Sequence, residues 1–119
     1  MLRVPQRLVA VALVGFALGA CAAEIEPFTA PPDESYPAEQ VDQGRGVYLR
    51  SCASCHGREG GGGTGPNIRQ VWERLSYDQH IEVVETGRNG MPAFGRTLSP
   101  DDIAAVVAYQ RFGWSDPSN

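Results

Sequence analysis

At 119 residues the chain has the length of one small domain, with a formal charge of −4. It contains ten arginines, no lysine and fourteen acidic residues, with no basic patch, which excludes the electrostatics of a nucleic-acid binder. Six of the acids (Glu24, Glu26, Asp33, Glu34, Glu39 and Asp42) precede Gln43, whereas residues 43–119 balance eight arginines against eight acids, so the overall charge does not imply an acidic docking face.

Arg3 and Arg7 precede an apolar run from Leu8 to Leu18. The run is shorter than the roughly 20 residues that cross a bilayer. A basic start, an apolar middle and a small-residue end predict an export signal over residues 1–20. Leu18-Gly19-Ala20-Cys21 resembles the bacterial lipoprotein box, which implies a lipidated Cys21 as the first mature residue. Ordinary cleavage after Ala20-Cys21-Ala22 is the alternative and would release a soluble protein. More than one acyl chain on Cys21, as the lipoprotein resemblance implies, would hold the protein firmly to a membrane. Residues 21–36 contain Pro27, Pro31 and Pro32 and lack apolar periodicity, so they read as an acidic, extended tether. At roughly 3.1 Å per residue such a tether spans some tens of ångströms. A surface arm lying along the domain is the other reading. The domain proper is expected at residues 37–119.

A first helix is expected from about Pro37, with Val41, Gly44, Val47 and Tyr48 forming a stripe that leads into Cys52. A glycine inside that stripe costs about 1 kcal/mol relative to alanine, which asks for a packing reason. Cys52-Ala53-Ser54-Cys55-His56 follows, the attachment sequence of a c-type haem. On one helical turn, positions i, i+3 and i+4 share a face, so two thiols and an imidazole converge on one object. Each thiol can form a thioether with a haem vinyl group, and His56 is then placed to be an axial ligand. A thioredoxin-like pair would need a βαβ context that is absent. A closed zinc site would need two more ligands, and only His80 and Cys21 are left, at the wrong spacing.

The run Gly60-Gly61-Gly62-Gly63-Thr64-Gly65 lacks the lysine of a phosphate loop and is read as backbone wrapping the haem edge before Pro66. A second helix is expected from about Tyr77 to Thr86, with Ser76 and Gln79 as a capping box, Ile81 and Val84 inward, and Gly87 at its end. An electron-carrying haem iron takes a sixth ligand, commonly Met or His. Met91 follows Gly90 and precedes Pro92, which holds it on an extended loop, and glycines 90 and 95 permit close approach to a flat ring. Met91 is therefore the expected ligand. The rival, His80, falls among Asp78, Gln79 and Glu82 and is expected on a solvated face. The last helix is capped by Ser99, with Pro100 in its first turn and Asp101 and Asp102 at its positive end. Ile103, Val106, Val107 and Gln110 share one face, with Tyr109 at its edge, until Gly113. No strand pattern competes, so the expected fold is all-α, a small helical domain wrapped around its haem.

These residues resemble a class I c-type cytochrome over about residues 38–112. The resemblance is carried by Gly44-x-x-x-Tyr48, Cys52-Ala53-Ser54-Cys55-His56, Gly65-Pro66-Asn67-Ile68, Gly90-Met91-Pro92-Ala93-Phe94 and Tyr109. It implies a Gly44–Tyr109 contact where the first and last helices cross, and a Pro66 carbonyl that accepts the His56 N–H and fixes the ring. It also implies one covalent haem c, held by Cys52 and Cys55 and ligated by His56 and Met91. His/Met ligation fills both axial positions, which favours an electron carrier over a peroxidase or gas sensor. The expected protein is exported and lipid-anchored on the outer side of the cell. Its expected partners are membrane-associated redox proteins of respiratory or dehydrogenase systems. A soluble periplasmic cytochrome and a haem subunit of a larger oxidoreductase are the alternatives. Arg58, Arg69, Arg88 and Arg96 are expected around the haem, either as a mildly positive docking rim or as partners of the haem propionates.

Overall fold

The computed structural model describes Pro31 and residues 33–115, so the export signal, Cys21 and most of the expected tether lie outside the described residues. Pro37 sits at the N-cap with φ −55° and starts α1 (Ala38–Ser51). Its buried residues are Val41, Gly44, Val47 and Tyr48, the stripe that the spacing predicts. The chain then makes a single further turn, α2 (Ala53–His56). A 3₁₀ turn at Val71–Glu73 leads to α3 (Tyr77–Thr86), whose capping box is complete. The Gln79 N–H donates to Ser76 Oγ at 3.2 Å, and the Ser76 N–H donates to Gln79 Oε1 at 2.9 Å. α4 (Pro100–Phe112) opens with Ser99 Oγ accepting from the Asp102 N–H and Pro100 in the first turn. It runs on into a 3₁₀ turn at Gly113–Ser115.

The largest interface joins α1 to α4, with α3 packing on another side of α4. Gly44 makes the crossing possible: a Cβ there would lie 1.9 Å from the Ala105 carbonyl oxygen and 2.8 Å from Tyr109 Cβ. The packing reason for the helix glycine is thus a backbone-to-backbone approach, met first at Ala105 and then at Tyr109. α4 is buried well beyond the expected face, at Ala105, Ala108 and Arg111 as well. Among the described residues there is no strand, only an isolated bridge between Arg88 and Met91, and the fold is all-α. No helix among them is long and apolar enough to cross a membrane.

Two expectations are corrected. His80 does not lie on a solvated face: it is 4% exposed, and its Nε2 lies 2.6 Å from Oε1 of Gln110 on α4. His80 and Val84 are four residues apart, so they share the stripe of α3 that faces α4, while Ile81 is only half-buried. The second correction concerns the tether. Glu34 pairs with the guanidinium of Arg111, whose Nε donates to Glu34 Oε2 at 2.6 Å. The Tyr36 ring packs 6.2 Å from Tyr77 and 6.5 Å from Phe112. The packed domain therefore takes in Glu34 and Tyr36, held there by an ion pair and by aromatic contacts that local composition does not signal.

Candidate haem site

α1 hands the chain to the attachment motif without leaving helical geometry. The Cys52 N–H donates to the Tyr48 carbonyl at 2.9 Å, and the His56 N–H donates to the Cys52 carbonyl at 3.0 Å. Cys52, Cys55 and His56 are consequently within one helical turn, with Cys52 buried and Cys55 exposed. Burial, reinforced by the neighbouring Cys55, pushes the Cys52 thiol up to about 11. A thiol that stays protonated near neutrality is the opposite of the activated thiolate in a redox Cys-x-x-Cys pair.

The glycine-rich loop folds back over His56. The Gly62 N–H donates to the His56 carbonyl and the Gly65 N–H to the Cys55 carbonyl, each at 2.8 Å. Gly65 then lies against the imidazole so closely that a Cβ would fall 2.9 Å from His56 Cε1. His56 Nδ1 lies 2.8 Å from the Pro66 carbonyl oxygen. A carbonyl only accepts, so Nδ1 carries the proton, and the neutral ring keeps its lone pair on Nε2. The ring is 8% exposed and held in one orientation, with Nε2 the nitrogen left free.

Tyr48 is a residue that the sequence reading did not assign to the site. Its hydroxyl donates to the Gly57 carbonyl at 2.6 Å, tying α1 to the peptide that follows His56. Its distance of four residues from Cys52 was the available signal, since that places both on one helix face.

Met91 is fixed from the other side. Its N–H donates to the Arg88 carbonyl at 3.0 Å, with Asn89 at φ 53° forming the turn. The segment is clamped back onto α3 through Phe94 N–H to Val84 O and Gly95 N–H to Glu85 O, both 3.0 Å. Met91, Ile68, Ile81, Phe94 and Leu98 are only partly buried and pack against the cluster that contains Cys52. Cys52, Cys55, His56 and Pro66 are thus brought together, and Met91 is brought to the same core. Cys21 lies outside the described residues. His80 is engaged elsewhere, with Gln110. Of the four arginines expected around the haem, Arg69 is committed to Glu59, its Nε donating to the backbone carbonyl at 2.8 Å and Nη2 lying 3.4 Å from the carboxylate. These residues fit a haem c: two thiols and an oriented imidazole on one turn, with half-buried apolar side chains packed against the same core.

An all-α domain with this motif is a c-type cytochrome domain, and comparison with known proteins agrees. The family described as "Cytochrome C oxidase, cbb3-type, subunit III" matches residues 39–109. Cytochrome c-551 of Bacillus subtilis is 32% identical over 102 residues, covering 81% of this chain and 87% of its own. The dehydrogenase subunit of a quinone alcohol dehydrogenase from Acetobacter aceti is 33% identical over 82 residues, covering 66% of this chain but 11% of its own. Among solved structures, the c-type cytochrome XoxG of Methylobacterium extorquens AM1 superposes with a TM-score of 0.57 at 27% identity, over 64% of this chain and 50% of its own. The chain belongs to this cytochrome c family. It carries one covalently attached haem c and is a class I monohaem electron carrier, not an enzyme.

Proposed function

We propose that the chain is an exported electron carrier, anchored to a membrane by lipid on Cys21, that passes electrons between redox proteins of respiratory or dehydrogenase systems. The observation that carries the site assignment is the His56 Nδ1–Pro66 carbonyl bond of 2.8 Å, which leaves Nε2 as the ligand atom. In this reading Cys52 and Cys55 form the thioethers, and His56 and Met91 are the axial ligands. The haem, when bound, supplies a one-electron couple, and a Met ligand raises its potential relative to His. The chain's own residues orient the imidazole, and Met91 would offer its thioether, while the half-buried Ile68, Ile81, Phe94 and Leu98 would supply an apolar surround for the group. The lipid anchor is supported by Leu18-Gly19-Ala20-Cys21, and redox partners by the likeness to a dehydrogenase subunit. That likeness also favours a second reading, a haem subunit working inside a larger oxidoreductase.

Met91→Ala in the holoprotein is expected to remove the sulfur-to-iron charge-transfer band of the oxidised state, lower the potential and let carbon monoxide bind. If His80→Ala does this and Met91→Ala does not, the ligand assignment fails. Mass spectrometry of the mature N-terminus is expected to find acyl chains on Cys21. An unmodified terminus at Ala23 would instead mark a soluble, secreted protein.

A further inference from the structure

Beside the attachment helix lies a cleft of about 730 Å³ that the proposed ligands do not use. Its walls include Arg45 and Leu49 from α1, Arg58 and Arg69 from the loop after His56, and Tyr109 and Trp114 from the end of the chain's last helix and turn. The sequence reading grouped Arg58 and Arg69 with Arg88 and Arg96. The fold instead joins them to Arg45, and neither Arg88 nor Arg96 lines this cleft.

Three properties coincide there. Leu49 is the single large apolar side chain that is exposed among the described residues, at 37%. Trp114 is a rigid wall, its ring edge-on to Tyr48 at 5.4 Å and to Tyr109 at 5.5 Å. The charge leans positive: Glu59 also lines the cleft but is paired with Arg69, and among the described residues the ion pairs are Arg69–Glu59 and Arg111–Glu34, so Arg45 and Arg58 have no carboxylate in an ion pair. The acids of α3 (Asp78, Glu82 and Glu85) and of the starts of α1 and α4 do not line the cleft. An exposed apolar centre, a fixed tryptophan and flanking arginines are the ingredients of a protein–protein contact centre.

We propose that this cleft is the docking face for a redox-protein partner that presents an apolar side chain ringed by carboxylates. The proposal rests on the electron-carrier reading above and names where the partner sits. The positive charge selects the acidic partner and orients its approach, while burial of Leu49 against it sets how long the complex lasts. The position suits the role, because Gly57 and Arg58 directly follow His56, and the Gly57 carbonyl accepts from the Tyr48 hydroxyl at 2.6 Å. A partner in the cleft therefore abuts the backbone that closes the haem-attachment turn.

The test is a nuclear magnetic resonance titration of the reduced, ¹⁵N-labelled holoprotein with a short peptide carrying a central Leu-Trp flanked by glutamates. A second peptide with lysines in place of the glutamates is the control. Saturable shifts are expected at Arg45, Leu49, Arg58 and the Trp114 indole, from the acidic peptide alone. Leu49→Ala and Arg45→Gln should each weaken binding about fivefold or more, the loss of one good contact. Both variants should keep the wild-type visible spectrum, which shows that the haem domain is folded. Raising salt should weaken wild-type binding steeply, Arg45→Gln should flatten that response, and Leu49→Ala should leave it. Shifts centred on α3 or on the Met91 turn, equal binding of the lysine peptide, or no saturable shifts in a normal holoprotein would overturn the docking face and leave the carrier reading standing. A chain that takes up no haem would overturn the carrier reading itself, and the docking face with it.

Discussion

His80 illustrates how far one side chain's surroundings depart from its sequence neighbours. Its ring is held by Gln110, thirty positions on, whose Oε1 accepts from Nε2 at 2.6 Å. Nδ1 is buried without a partner, which suits a neutral ring and opposes a charged one. Burial pushes the ring down to about 4, with the nearby Arg111 and Arg88 adding to the effect and Gln110 and Glu34 opposing it. In the unfolded chain His80 takes its proton near 6.5, so between about 6.5 and 4 the unfolded state binds more protons than the folded one. Stability from this residue is complete above that window and is lost as the pH falls through it, by about 3 kcal/mol at most. Urea melts of the holoprotein from pH 7 to 4 should show this slope, and His80→Asn should flatten it. An unchanged slope in the variant would assign the acid sensitivity to other groups.

The segment before α1 works as a strap across α3 and α4. Glu34 holds Arg111, and Arg111 Nη1 also donates to the Leu75 carbonyl at 3.0 Å, just before α3. The arginine holds the carboxyl of Glu34 below the usual carboxylate range. The Arg111 side chain is 3% exposed against 26% for Glu34, so the cost of breaking the pair falls on the arginine, left buried with its charge uncompensated. Glu34→Gln should therefore destabilise the holoprotein by about 1.5–3 kcal/mol in urea melts, the range for a hydrogen bond to a charged group. A loss near zero would mean that the arginine finds water or another partner and that the strap is not held by this pair.

The architecture as a whole turns on the crossing of α1 and α4. A domain of about 80 residues buries little apolar surface, so a bound haem adds to a core that side chains alone leave thin. Gly44 lets the two helices meet at backbone distance, and a Cβ 1.9 Å from the Ala105 carbonyl cannot be accommodated without moving one helix. Gly44→Ala should destabilise the holoprotein by about 1–3 kcal/mol, the cost of overpacking, although alanine is the better helix former. Thermal melts followed at the haem absorbance would measure it, and a stabilised variant would show that the crossing is more pliant than its geometry implies.

Helix existence and ends were legible because their signals lie within four residues of one another: Ser76 with Gln79, Ser99 with Pro100 and Asp102, and the Val41–Tyr48 stripe. The attachment motif and the Met91 turn were legible for the same reason, since a helical turn or a Gly-Met-Pro loop is a local object. The contacts between Glu34 and Arg111 and between His80 and Gln110, and the meeting of Arg45, Leu49 and Trp114 around one cleft, join segments dozens of residues apart. No periodicity or cap encodes such pairs. They exist only once α1, α3 and α4 have packed, because packing decides which polar side chains are desolvated and must find each other, and which arginines are left facing the solvent.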